Sequence, residues 1–261
     1  MPNLGRWIYS LGAIGLGVTL AAYGAFSPDW LSVSPHLPGY HVIAYACAAW
    51  LILAGLAVNA PRVGGTAALA LASLFVAGIL LREAPYTLAK PEDWGGWQGI
   101  AESMAMSMGG VLVCAQSRDV GLARPAMVAR IARIFFGLCL AVFGVSHFVY
   151  AKLTASLVPT WLPPSQLAWA DITGAAQIAA GLAMLSGVQA RLAAMLLTVM
   201  YVIFTCLVHI PSVIASPTSQ DNWTENAINL LLIGVAWTAA DSLRTPSSRH
   251  PVRSRDVAET D

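Results

Sequence analysis

Residues 143–185 read FGVSHFVYAKLTASLVPTWLPPSQLAWADITGAAQIAAGLAML. In this stretch a short crossing rich in Pro and Trp joins two apolar segments. His147 precedes the crossing, and Asp171 and Gln177 follow it, at or inside the apolar segments. An ionisable residue inside a segment that must lie in lipid is a candidate functional residue, because burying its charge there is costly. The stretch therefore predicts both a pair of membrane helices and the place of a site.

The composition of the chain also predicts a membrane protein. Hydrophobic residues make up 57% and charged residues only 10%, whereas about a quarter of the residues of a soluble domain are charged. Backbone polar groups must pair internally in lipid, and the long apolar runs do not alternate as barrel strands do. We therefore expect an all-α polytopic membrane helix bundle. A net charge of +1 with dispersed Arg residues provides no basic face for nucleic acid.

Eight apolar runs are close to the roughly 20 residues that a helix needs to cross the hydrocarbon layer. They cover residues 7–26, 40–58, 65–81, 97–115, 131–150, 166–185, 190–208 and 224–239. The sequence thus predicts eight transmembrane helices.

The distribution of Lys and Arg predicts the orientation of these helices. Eleven of the fourteen basic residues fall on one side of an eight-span topology, and only Arg82, Lys90 and Lys152 fall on the other. Positively charged loops stay in the cytoplasm, so we expect both termini there, with the protein in a plasma membrane such as the bacterial inner membrane. The outward loops would place four tryptophans in an interfacial belt: Trp30, Trp94, Trp161 and Trp223.

The two halves of the chain resemble each other. Gly17 and Gly24 match Gly137 and Gly144 at an offset of 120, and Pro85 and Trp97 match Pro211 and Trp223 at an offset of 126. Each half carries four spans, an even number, so both copies enter the membrane in the same direction as parallel repeats. The predicted organisation is a first module at 1–117, a cytoplasmic linker at 118–133, a second module at 134–241 and a disordered cytoplasmic tail at 242–261.

Sparse small, aromatic and polar residues mark the second half: Gly137, Gly144, His147, Leu157-Val158-Pro159, Trp161-Leu162-Pro163, Thr173-Gly174, Gly181, His209, Asn226 and Asn229. With this pattern residues 133–241 resemble a DoxX-type four-helix membrane module. The resemblance implies a link to membrane-associated oxidoreductase systems, including quinone-reducing thiosulfate oxidation, and distant relatives act in cargo handling or chaperoning. The first half resembles the module more weakly, and Phe26, Leu51 and Glu83 stand near the positions of His147, Gln177 and His209.

Asp171 is the central residue of the predicted site. It lies six residues after Ser165, the expected cap of its helix, which is roughly 9 Å along the helix at 1.5 Å per residue. A helical wheel groups Asp171 with Gly174 and Gly181, small residues at which another helix packs closely. The carboxylate is therefore expected to point away from lipid, at the outer edge of the hydrocarbon layer.

Two histidines are expected to reach the same level as Asp171. His147 ends the fifth span and His209 the seventh, and both spans run outward. A carboxylate and an imidazole can share a proton, so Asp171, His147 and His209 are predicted to form a proton-handling catalytic cluster. A structural ion pair is the alternative interpretation. Further ligand-binding residues are predicted at Gln177, Asn226, Asn229 and Trp161.

Three functions follow from this pattern, and the sequence names no reaction. The first is a membrane subunit of an oxidoreductase system, whose pocket takes a quinone or meets a redox partner protein. The second is a transporter or binding module that uses the cleft between the halves, although unbroken spans with prolines at their ends disfavour transport. The third is a non-catalytic assembly factor.

The sequence supports few cofactors. It does not identify one: a quinone is a candidate, and a haem held by His147 and His209 is a minority alternative. No metal site is predicted, because Cys206 and His209 are only two ligands and structural zinc takes four.

Overall fold

The computed structural model describes residues 4–28, 30–31 and 33–244, and these residues form helices without any strand. The helices of the first half are α1 (Leu4–Tyr23), α2 (Tyr40–Ala57), α3 (Gly64–Gly78), α4 (Ala84–Ala89) and α5 (Trp94–Ala115). Those of the second half are α6 (Pro125–Val149), α7 (Ala151–Leu157), α8 (Gln166–Ser186), α9 (Ala190–Phe204), α10 (Ile210–Ala215) and α11 (Gln220–Ser242). Most of the predicted disordered tail, residues 245–261, lies outside the described residues.

Six helices are long and apolar enough to cross a membrane, which indicates a membrane protein. They are Leu4–Tyr23, Tyr40–Ala57, Gly64–Ala89, Pro125–Val149, Gln166–Ser186 and Ala190–Ala215. Helices α5 and α11 have 22 and 23 residues, a similar length. They carry more polar side chains, among them Glu102 in α5 and Asn229 in α11, and are not among the six.

The long helices form a ring in chain order. Each of α1, α2, α3, α5, α6, α8, α9 and α11 packs on the next, and α11 closes the ring on α1. Helices α5 and α11 also contact each other across the middle, so the interior is divided into two compartments. Because other helices surround these two, many of their residues are buried.

Glycines bring α6 and α8 into close contact, as the sequence predicted. A Cβ atom on Gly144 would lie 2.5 Å from the carbonyl oxygen of Gly174, and one on Gly181 would lie 2.6 Å from that of Gly137. Only a residue without a side chain fits at such distances, which is how small residues let membrane helices pack. This interface fixes the relative positions of α6 and α8, which carry His147 and Gln177.

Two spans contain a π-helical turn, but each continues through it as one helix, Gly64–Ala89 and Ala190–Ala215, as unbroken spans require. The first π segment, Ile79–Glu83, joins α3 to α4, and the second π segment, Thr205–His209, joins α9 to α10. Pro85 and Pro211 follow two residues later. Proline lacks an N–H group and its ring clashes with the preceding helical turn, and a local π adjustment accommodates it within a membrane helix.

Trp30 is buried, so its predicted place in an interfacial belt is wrong. Its ring lies 6.4 Å from that of Phe26 and 6.3 Å from that of Phe75, measured between centroids, and only 7% of the residue is exposed. Trp161 and Trp223 are exposed, as a belt requires. Trp94 is half-buried and donates from Nε1 to Ser146 Oγ at 2.7 Å.

Candidate functional site

A cavity of about 630 Å³ lies in the second half, among α6, α7, α8, α9, the second π segment and α11. Its wall is mainly apolar, with residues such as Phe143, Leu153, Ile172, Leu196 and Phe204. Several polar side chains interrupt that wall: Glu102, His147, Thr173, Gln177, Tyr201, His209, Glu225 and Asn229. A largely apolar cavity of this size with a few polar groups is typical of a small-molecule site.

His147 and Gln177 form a hydrogen-bonded pair on the α6–α8 wall. The Nδ1 atom of His147 lies 3.1 Å from the carbonyl oxygen of Ala170 and 3.0 Å from Thr173 Oγ1. A carbonyl oxygen only accepts, so Nδ1 carries the proton and Nε2 of the neutral ring is the acceptor. The amide nitrogen of Gln177, 3.2 Å from His147 Nε2, donates to it.

This arrangement leaves the amide oxygen of Gln177 without a donor. The residue is 3% exposed, and its Oε1 atom has no hydrogen-bond partner among the described residues. The hydroxyl of Tyr201 on α9 is also buried and unpartnered within the described part of the chain. An unsatisfied buried polar group costs about 1–3 kcal/mol, so both groups favour a molecule in the cavity that bonds to them.

The second π segment brings His209 to the same cavity. Asn229 Nδ2 donates to the carbonyl oxygen of Tyr201 at 2.9 Å and to Thr205 Oγ1 at 2.6 Å, where the helix widens. The ring of His147 stacks on Phe204, with centroids 6.5 Å apart and planes inclined by 25°. The structure thus groups His147, Gln177, His209 and Asn229 around one space.

Asp171 does not line this cavity, and its predicted orientation is wrong. It is exposed, whereas the residues that α8 buries are Ala170, Gly174, Gln177, Ala180, Gly181 and Met184. At 100° per residue, Asp171 lies about 110° from the centre of that buried stripe. The predicted grouping of Asp171 with the two histidines is therefore absent. The backbone carbonyl of Ala170, one residue earlier, is the group that meets His147.

Two further predicted ligand-binding residues lie away from the cavity. Trp161 is 69% exposed on the crossing between α7 and α8. Asn226 is half-buried, one turn before Asn229, and is not part of the lining.

Sequence reasoning missed several residues of the lining. Glu102 belongs to the first half, but an acidic residue within the apolar run 97–115 carries the same signal that selected Asp171. Tyr201 has no such signal. Glu225 lies in the first turns of α11, whose N-cap is Ser219: its Oγ accepts from the Asn222 amide at 3.3 Å.

The residues present do not fit a haem held by two histidines. The Nε2 lone pair of His147, which would bind the iron, faces the Gln177 amide, and Nδ1 faces a carbonyl oxygen. A hydrogen-bonding ligand fits this arrangement better than a coordinated metal.

The first half contains a second cavity, of about 680 Å³, with a different lining. Phe26 and Trp30 occupy its wall together with Phe75, and Leu51 is fully buried nearby in α2. Phe26 and Leu51 stand at the sequence positions that correspond to His147 and Gln177. The histidine–glutamine pair therefore has no counterpart in the first half.

A family model described as a domain of unknown function (DUF8561) matches residues 136–240. The predicted DoxX membership is therefore wrong, since the matching family is a different and uncharacterised one. The resemblance rested on glycines and aromatic residues, which helix packing and interfaces select in many membrane proteins. No curated protein and no solved structure matches the chain.

Proposed function

We propose that this protein binds an amphipathic small molecule within the membrane, in the cavity of the second half. The apolar part of the ligand fills the cavity, and a hydroxyl group of the ligand donates to Gln177 Oε1. The observation that carries this proposal is the buried and unpartnered amide oxygen of Gln177, a residue in the wall of a mainly apolar cavity. The oxidoreductase link implied by the resemblance has no support from the family match.

The hydrogen-bond pattern selects the chemical class of the ligand. The Gln177 amide nitrogen is committed to His147, so the remaining amide oxygen needs a donor. The Tyr201 hydroxyl can serve as a second donor or acceptor. A lipid-soluble alcohol, a sterol-like molecule or a quinol meets this requirement. A quinone offers only carbonyl acceptors, so of the two redox forms the reduced quinol fits better.

The proposed frame for this site is a bundle of eight spans in two parallel four-helix modules, 1–117 and 134–241. Corresponding elements begin at a constant offset of 126 residues: Tyr40 and Gln166, Gly64 and Ala190, Ile79 and Thr205, Ala84 and Ile210, and Trp94 and Gln220. The family match over 136–240 supports the extent of the second module. Helices α5 and α11 would be the additional spans, shielded from lipid by their neighbours.

The basic residues support cytoplasmic termini for this bundle. In that orientation α6 and α9 run outward. His147 and His209, which lie late in these spans, then place the polar part of the cavity towards the outer surface.

A transporter is the second candidate function. The argument against it was the unbroken course of the spans. The spans are continuous, but two of them widen into π segments. The second π segment also forms part of the cavity wall, and π turns often occur at functional sites.

The binding proposal is tested with a matched pair of ligands, 1-dodecanol and its methyl ether, added to the protein in lipid nanodiscs. Trp169 lines the cavity, so intrinsic fluorescence reports binding. The alcohol is expected to bind about 5- to 150-fold more tightly than the ether, which corresponds to satisfying one buried acceptor at about 1–3 kcal/mol.

Gln177→Leu is the informative variant, because a buried leucine, Leu51, occupies the corresponding position in the first half. Leucine also has a similar size to glutamine. This variant should abolish the preference for the alcohol while the ether still binds. Gln166→Leu, on the same helix but outside the cavity lining, should keep the preference. Equal affinities of the wild type for both ligands, or a preference retained in Gln177→Leu, would contradict the proposal.

A further inference from the structure

Glu83 is a buried carboxyl group in the first half, at the end of the first π segment. The residue is 7% exposed. Its Oε1 atom accepts a hydrogen bond from Ser103 Oγ at 2.7 Å, and Oε2 has no partner among the described residues. The proposed ligand site does not use this group, which lies on the other side of the α5–α11 contact.

The surroundings of Glu83 provide no ion pair. Within the described ranges, no basic side chain forms an ion pair with this carboxyl group. The adjacent Arg82 acts on it electrostatically, but the Arg82 guanidinium lies over the Tyr86 ring, 4.8 Å from its centroid.

The elements that pack on the first π segment are α3, α4 and α5. Helix α3 has no titratable residue, and α4 contributes only Tyr86. Helix α5 presents Gly99 and Ser103 to Glu83, while its Glu102 lines the cavity of the second half.

We infer that Glu83 is a proton-binding site of the first half and holds a proton on Oε2 at neutral pH. A carboxylate without an ion partner is so costly in a low-dielectric interior that the group takes up a proton instead. The hydrogen bond from Ser103 agrees with this state, because Oε1 is then the carbonyl oxygen of a carboxylic acid and accepts. Protonation removes the negative charge that Oε2 would otherwise carry with no donor or cation to stabilise it.

Glu83 adjoins the cavity of the first half through Ser103. Ser103, which bonds to Oε1, and the adjacent Arg82 both line that cavity of about 680 Å³, whereas Oε2 itself is buried. Glu83 and His209 occupy corresponding positions at the ends of the two π segments. The first half thus carries a proton site at the position where the second half carries a histidine in its ligand cavity. This inference is independent of the proposed ligand, because it concerns a different half and a different chemistry.

Infrared difference spectroscopy of the purified protein at pH 7 tests the protonation of Glu83. The C=O stretch of a protonated carboxyl group should be lost from the spectrum of Glu83→Gln and retained in Glu92→Gln, a variant of the exposed loop after α4. Subtracting variant from wild type removes the bands of Glu102 and Glu225. Raising the pH should remove the Glu83 band as the group ionises.

Ser103→Ala provides a second variant in case Glu83→Gln does not fold. Removal of the hydrogen bond to Oε1 should move the same C=O band to higher frequency, and the band should keep its intensity. The inference is overturned if Glu83→Gln removes a carboxylate band instead of an acid band at pH 7. It is also overturned if no acid band responds to Ser103→Ala.

Discussion

Gly144 determines how closely α6 approaches α8, and hence the spacing of His147 and Gln177. In Gly144→Ala the added Cβ would lie 2.5 Å from the backbone oxygen of Gly174, and a backbone oxygen cannot turn aside as a side chain can. We expect the variant to lose about 1–3 kcal/mol of stability, the usual cost of overpacking. Unfolding by SDS, followed by circular dichroism, measures the change.

Gly15→Ala is the control for this prediction. A Cβ at position 15 would lie 3.5 Å from the Ala227 side chain, an ordinary contact. Alanine is a better helix former than glycine by up to about 1 kcal/mol, so this variant should be as stable as the wild type or more so. A Gly144→Ala protein that unfolds like Gly15→Ala would show that the α6–α8 interface is not as tight as described.

The difference between Gln177 and Asp171 shows how far single residues could be predicted. Both are polar residues in an apolar run of the same helix, and that signal selected both. Gln177 faces the cavity, but Asp171 lies about 110° from the buried stripe. Glycines at 174 and 181 indicated the packed side only coarsely. In the structure Ala170 and Gln177, rather than Asp171, complete the buried stripe. No sequence pattern marked the centre of that stripe.

The two π segments could not be predicted from apolar periodicity, since each wider turn covers only five residues and the helix continues on both sides. Pro85 and Pro211 were the available signal, and they indicated helix ends. In the structure each proline follows a π segment. The N–H group of the first residue of each segment, Ile79 or Thr205, donates to two carbonyl oxygens. The sequence did predict the approximate extent of all eight long helices.

Asn229 is expected to hold the second π segment in place. In Asn229→Leu the donor to the Tyr201 carbonyl oxygen and to Thr205 is lost. The predicted loss of stability is about 0.5–1.5 kcal/mol, the net contribution of a hydrogen bond, because the Tyr201 carbonyl oxygen still accepts from Thr205. Hydrogen exchange of residues 201–209 should become faster.

Asn226→Leu, one turn away and outside the cavity lining, serves as the control for Asn229→Leu and should leave exchange in residues 201–209 unchanged. If both variants exchange alike, Asn229 does not stabilise the π segment.

The described residues form a ring of helices divided by the α5–α11 contact, with a cavity in each half. The wall of the second-half cavity is mainly apolar with several polar side chains, and that of the first-half cavity includes three aromatic residues. The repeat in the sequence indicated similar halves, but it could not indicate this ring, because contacts between distant helices depend on side-chain fit. Glu102 shows the consequence. It belongs to the first half by sequence and to the cavity of the second half by position.

The topology of the ring is tested by reporter fusions after Lys90, Ala123, Lys152 and Ser248. If α5 and α11 cross the membrane, Ala123 and Ser248 should be cytoplasmic, and Lys90 and Lys152 should be outside. The decisive position is Ala123. If α5 does not cross, the reporter at Ala123 should lie on the same side as the one at Lys90, and the parallel repeat would then be excluded.

The central claim is that a hydroxyl-bearing amphipathic molecule occupies the cavity between α6, α8, α9 and α11. A crystal structure with 12-bromo-1-dodecanol tests it most directly, because anomalous scattering locates the bromine and the electron density locates the hydroxyl group. We predict a bromine peak inside the cavity and a ligand oxygen within hydrogen-bonding distance of Gln177 Oε1. Bromine peaks confined to the lipid-facing surface, with water beside Gln177, would contradict the account.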